Sequence, residues 1–220
     1  VTAPNTSTDR TITLPDATDT LIGSATTDAL TTRVNGTGGR KNMIINGDFR
    51  VSQRGVYTTA TALTGTETYM LDRWKGYDTG ASATIQDIGG KIKILATAGG
   101  TGQARVNQII EVQDLVLGGV YTFSALVKSN LAGAGLGIFD DETSAGGDTD
   151  AYYATHSGNG TEERLSVTFT LRTTTPYAFT TRIALTPTGN GTIATGDYIE
   201  ASEVQLELGS VATDFEHRSY

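Results

Sequence analysis

Five acidic residues crowd one glycine-rich segment, GIFDDETSAGGDTDAYY: Asp140, Asp141, Glu142, Asp148 and Asp150. Carboxylates at this spacing support three readings. Two of them, held about 5–10 Å apart across a glycosidic bond, could hydrolyse it. Hard oxygen ligands converging from a loop could hold calcium, although the register of an EF-hand is missing. A solvated loop needs neither chemistry. The segment runs into Tyr152, Tyr153 and His156. Sugar recognition uses aromatic faces for C–H stacking, with amides and carboxylates nearby for hydroxyls. Tyr152, Tyr153, His156, Asp148 and Asp150 are therefore the candidate ligand-binding set. Alternation along a strand sends Tyr152 and Tyr153 to opposite faces, one into the core and one outward.

Nucleophilic chemistry has little to work with. There are two histidines, His156 and His217, and no cysteine. A Ser-His-Asp arrangement needs an oriented histidine and an activated serine, and no G-x-S-x-G elbow is present. The expectation is a protein without a catalytic set, hence not an enzyme. Trp74 is the single tryptophan. It serves either core packing with its indole N–H satisfied or a sugar platform. Tyr57, Tyr69 and Tyr77 are further aromatic candidates.

The elements that would position these residues read as strands. Leu165–Leu171 alternates polar and apolar residues, as a half-buried strand does. So do Tyr121–Val127, Lys91–Ile94 and Glu203–Leu208, with further candidates at Arg105–Val112, Tyr177–Leu185 and Gly196–Ala201. Glycine pairs at 89–90, 99–100, 118–119 and 146–147 punctuate them. Thr occurs 39 times and Gly 27 times, a composition of short strands and tight turns. Strands do not alternate with helices, which argues against a parallel α/β sheet. The fold class is all-β, a two-sheet antiparallel sandwich.

Residues 1–40 differ from the rest. They contain no Phe, Tyr or Trp, and 12 of the 40 are Thr. Such a segment cannot bury enough apolar surface to order by itself. It is either a disordered linker or a strand that finds its core between identical neighbours. Thr11–Leu14 alternates, and Pro15-Asp16 reads as a turn. TTDALTTR at 26–33 suggests one or two helical turns, and NGTGGR at 35–40 a hinge. Residues 41–220 form the body.

Charge limits the partners. The formal net charge is −8 with a pI near 4.7, and the 16 basic residues are scattered. Nucleic acid needs clustered Lys and Arg, so it is not expected. No apolar run approaches the ~20 residues that span a bilayer, so membrane insertion is not expected either. No signal-peptide pattern opens at Val1. The absence of cysteine excludes disulfides and thiolate metal sites.

Several stretches resemble a known structural class. KNMIINGDFRVSQRG at 41–55 and EVQLELGSVATDFEHR at 203–218 look like the opening and closing strands of the jelly-roll domains at the distal ends of bacteriophage tail fibres. YMLDRW at 69–74 and VNQIIEVQDL at 106–115 fall where that family carries similar segments. TITLPDATDTLIG at 11–23 resembles the threaded β segments of fibre shafts. The resemblance implies a jelly-roll domain behind an extended shaft, with Ile12, Leu14, Leu21 and Ile22 facing a threefold axis. It implies a homotrimer in the virion, assembled in the bacterial host cytoplasm, joined to upstream fibre or tail proteins and contacting bacterial surface glycan. A purely structural fibre or collar appendage and a carbohydrate-active enzyme module are the alternatives. Many carbohydrate-binding jelly rolls hold a structural calcium (Ca2+) between first and last strands. Their opening motif reads roughly N-G-D-F-E. Here Asn46-Gly47-Asp48-Phe49 is followed by Arg50, so the resemblance implies a site from Asp48 and Glu203, or an Arg50–Glu203 pair replacing the metal.

Overall fold

The computed structural model describes residues 41–53, 55–141 and 149–218, with the backbone alone for Thr149 and Asp150. The expected shaft, hinge and helical turns at 1–40, and Glu142 and Asp148 of the acidic segment, lie outside the described residues.

Among the described residues, thirteen strands form two antiparallel sheets. The first runs β1 (Thr61–Ala62), β4 (Ser82–Asp87), β5 (Ile92–Ala98), β13 (Tyr198–Leu208), β7 (Val120–Ser129) and β10 (Glu162–Thr170). The second runs β2 (Thr68–Tyr69), β3 (Lys75–Thr79), β6 (Gly100–Ile110), β11 (Ala178–Ala184), β8 (Gly135–Asp141) and β9 (Thr149–Thr155). The short β12 (Gly191–Ile193) adds to β6. The last strand sits in the middle of the first sheet, and consecutive strands cross between sheets. This is a two-sheet sandwich, as the alternation and glycine pattern predict, and its strand order is that of a jelly roll, as the resemblance implies. No helix among the described residues is long and apolar enough to cross a membrane.

The core lies between the sheets and is built from alternate positions. Tyr121, Phe123, Ala125 and Val127 of β7 meet Val106, Leu136, Ile138, Phe179 and Ile183 of the second sheet, all buried. Phe169 stacks on Tyr121, Tyr152 and Phe179 at 6.0, 5.1 and 5.8 Å between centroids. Rings offset at such distances add to the burial of their apolar area.

The Glu203–Leu208 and Gly196–Ala201 readings merge into one strand. In β13 the register shifts between Ser202 and Gln205, and Glu203 takes a φ of 52°. That left-handed residue is a β-bulge, which adds a residue and bends the strand. The bulge receives the opening segment: the Val204 N–H donates to Gly47 O at 2.9 Å, and Met43 N–H to Leu206 O at 2.8 Å. Side chains complete this junction in place of a ladder. The Asn42 amide donates to Val204 O at 3.2 Å while its oxygen accepts from Ile44 and Leu206 N–H. Gln108 does the same for both backbone groups of Ile45, at 2.9 and 2.8 Å.

Alternation predicts that Gln205 and Glu207 face water, yet both are buried. The C-terminal segment covers them. Gln205 accepts from the Glu216 N–H at 2.8 Å, and Glu207 from the Thr213 N–H and hydroxyl at 2.9 and 2.7 Å. Buried polar groups must be satisfied, and here the tail satisfies them.

Trp74 belongs to the core. It is fully buried, donates its indole N–H to Asn46 O at 3.1 Å, and lies tilted against Phe49 at 5.1 Å. Asp140 and Asp141 stand on β8 and not in a loop. Asp140 is buried and paired with Arg172 at 2.7 Å. The solvated-loop reading therefore fails for these two acids, because the strand extends to Asp141 and turns Asp140 inward.

Candidate functional site: a groove on the second sheet

The outer face of the second sheet carries a groove of about 530 Å³. Its floor comes from every other residue of four strands, those that the pleat turns away from the core. Arg105, Asn107 and Ile109 come from β6, Thr180 and Arg182 from β11, Phe139 and Asp141 from β8, and Tyr153 from β9. Glu67, just before β2, closes one side. The volume lies in the range of small-molecule sites.

Register sets a row across the sheet. Lys75 stands opposite Asn107, Asn107 opposite Arg182, Arg182 opposite Gly137, and Gly137 opposite Tyr153. Gly137 makes the row possible. A Cβ there would come within 3.0 Å of the Phe139 ring and 3.5 Å of Tyr153. Without it, Phe139 and Tyr153 close edge-on at 5.8 Å, both half-buried, and present an aromatic surface to the groove.

Fixed charges flank that surface. The Arg182 guanidinium lies 3.8 Å over the Phe139 ring centroid, and the Arg105 guanidinium 4.2 Å over Tyr77. Stacking of this kind orients the planar fork. Glu67 accepts from Arg105 at 3.1 Å and from the Asn107 amide at 3.2 Å, with Lys75 at 3.9 Å. Burial first, and then the neighbouring Arg105, push the Arg182 guanidinium down to about 10, so it stays a cation at neutral pH.

The structure separates the residues that the sequence grouped. Tyr153 lines the groove, while Tyr152 points the other way and stacks on Phe169. His156 is buried and stands outside the groove lining. Its Nδ1 accepts from the Gly158 N–H at 2.8 Å, which leaves Nε2 to donate to Thr161 O at 2.8 Å. It closes the turn before β10. Asp150 lies on β9 opposite Asp140. Arg105, Asn107, Phe139 and Arg182 did not figure as site residues in the sequence reading. Both cationic strands were legible, as Arg105–Val112 and Tyr177–Leu185. The signal that joins them is the antiparallel pairing of β6 with β11, about 75 residues apart, which local periodicity does not carry.

Asp48 and Glu203 engage different cations. Asp48 Oδ2 is 2.9 Å from His217 Nδ1 and 3.2 Å from Arg50 Nε. Glu203 pairs with Arg164 at 2.8 Å. Arg50 thus folds back on Asp48, two residues away, and the expected Arg50–Glu203 pair does not form. No group of three or more His, Asp or Glu that could hold a metal occurs among the described residues.

No family model matches the chain, and no curated protein matches it. Among solved structures, a CBM4 structure is 15% identical over 76% of this chain and 99% of its own, with a TM-score of 0.47. The C-terminal family 22 carbohydrate-binding module of Clostridium thermocellum Xyn10B is 11% identical over 79% and 96%, with a TM-score of 0.42. The enzymatically active domain of bacteriophage CBA120 tailspike protein 4 is 14% identical over 76% of this chain and 21% of that one, with a TM-score of 0.45. The jelly-roll assignment stands on the strand order and register of the two sheets.

Proposed function

We propose that the chain is a glycan-binding module that recognises saccharide in the groove of its second sheet. One observation carries this reading: two half-buried rings, Phe139 and Tyr153, share a groove with the fixed donors Arg105, Asn107 and Arg182 on a rigid sheet. Stacking surface beside directional polar groups is what a pyranose needs. Following the resemblance of both chain ends, the molecule is the distal part of a homotrimeric phage tail fibre, and the glycan lies on the bacterial surface. Binding to an array of bacterial surface polysaccharides tests this. Tyr153→Ala should weaken binding at least tenfold and leave the melting temperature nearly unchanged, because the ring sits outside the core. Equal binding by this variant would point to a purely structural appendage.

The reading includes binding without hydrolysis. It also gives the role of the family's calcium to an ion-pair cluster. Calcium takes six to eight oxygen ligands, whereas Asp48 Oδ2 already holds His217 and Arg50 and its buried Oδ1 is the one oxygen of this carboxylate left without a partner. Through His217, Asp48 ties the opening turn to the C-terminal segment. A chelator should therefore leave the melting temperature unchanged, and a fall of several degrees on adding EDTA would restore the metal.

A further inference from the structure

We propose that the groove selects a saccharide carrying a carboxylate, a uronic acid or another acidic sugar, held by Arg182 and Arg105. This rests on the glycan-binding reading and narrows it. The two arginines are diagonal neighbours on paired strands: Arg182 faces Asn107, and Arg105 is two residues along β6. Like charges so placed repel each other. Arg105 is partly neutralised by Glu67 at 3.1 Å. Arg182 has the Phe139 ring beneath it instead.

The protein leaves hydrogen-bonding capacity unused at this place. Arg105 Nε, Asn107 Oδ1 and Arg182 Nε are buried without a hydrogen-bond partner. They are three of the five such side-chain atoms among the described residues, and all three belong to groove-lining residues. Unsatisfied polar groups are costly and normally rare, so their concentration in one groove marks a place that a ligand completes.

A carboxylate fits best. A guanidinium offers a planar fork that matches its two oxygens, with twice the strength of a neutral pair. Glu67 and Asp141 also line the groove, which keeps the local field modest and suits one negative charge per sugar. The chain as a whole is at −8 and repels acidic polymers, so cations spent here serve a particular anion. Spacing agrees. Tyr153 lies two strands from Arg182 in the same row, about 9–10 Å at the backbone. One sugar ring spans that gap, with its face on the aromatic surface and its acid on the guanidinium.

The test uses the full chain and matched probes: oligogalacturonate, a hyaluronan oligosaccharide and oligosialate, each with its carboxyl-reduced counterpart. Calorimetry should show at least one acidic probe binding tenfold or more tightly than its reduced form. Arg182→Gln should close that gap, and Arg182→Lys should restore part of it. If reduced and acidic forms bind alike, or only neutral or phosphodiester polymers bind, carboxylate selection is wrong and glycan binding stands. If neither these probes nor any polysaccharide of the bacterial surface array binds, both readings fall. A gap that survives in Arg182→Gln removes this arginine from the site. The comparison of acidic and reduced probes on the unaltered protein needs no variant to fold.

Discussion

Glu163 shows how one carboxylate holds a turn in place. It accepts from the Ser157 hydroxyl, from the Ser157 N–H at 3.2 Å and from the Asn159 amide at 2.9 Å. The Ser157 hydroxyl bond foremost, with the Ser157 backbone bond and the Asn159 amide adding and burial opposing, holds its carboxyl below the usual value of 4.5. A carboxylate with a depressed folded-state value stabilises the fold above its unfolded value and loses that contribution as pH falls through the folded one. Glu163→Gln should therefore melt below the parent at neutral pH. The difference should shrink as pH drops below the unfolded value of about 4.5 and through the lower folded one. Melting curves across that range decide it: a difference independent of pH would mean that the charge of Glu163 does nothing. At the same scale Tyr153 and Tyr152 divide as the period of two demands, while His156 goes inward because the turn needs both of its ring nitrogens.

At the scale of elements, the junction of the opening turn with the β13 bulge rests on Gly47. A Cβ there would lie 2.2 Å from Val204 O, the residue whose N–H bonds back to Gly47 O. The contact is backbone on backbone, so no rotamer relieves it. Gly47→Ala should cost about 2–3 kcal/mol, as overpacking does. Gly65→Ala, whose added carbon would meet Asp78 O at 3.7 Å, should be near neutral. Denaturant titrations of the two variants check this, and equal midpoints would show that the turn yields. Much of this architecture was legible because alternation is local. Tyr121 to Val127 and Leu165 to Phe169 declare their buried faces within seven residues. Two features were not legible. Glu203 reads as an ordinary strand residue, and the pairing of β13 with β7 across a left-handed bulge at Glu203 is what joins two expected strands into one. Gln205 and Glu207 read as wet, because the tail that covers them returns from Thr213 and Glu216. The groove failed to show for the same reason: Arg105 and Arg182 meet through tertiary pairing.

At the scale of the molecule, the proposed role joins the groove to the number of copies. Two rings and a few donors on an open sheet face make a modest site, since buried area and anchoring contacts are few. In the proposed role of a fibre tip the module would meet a repeating polymer, and repetition on both sides would change the arithmetic. Once one groove is engaged, the next binds from a high effective concentration, and the whole gains 10²–10⁴-fold over a single site. Residues 1–40 carry no aromatic ring to stack on a sugar, and in the proposed role they would join the copies. The full chain should therefore have a mass by light scattering of three times 23.1 kDa. Its affinity for immobilised polysaccharide should exceed its per-groove affinity for a short oligosaccharide of the same repeat by about 10²-fold or more. Tyr153→Ala should lower both affinities and leave the mass unchanged, because the ring lies on the groove face of one sheet. A monomeric mass, or equal affinities for polymer and oligosaccharide, would rule out the multivalent fibre tip and leave a single-site module.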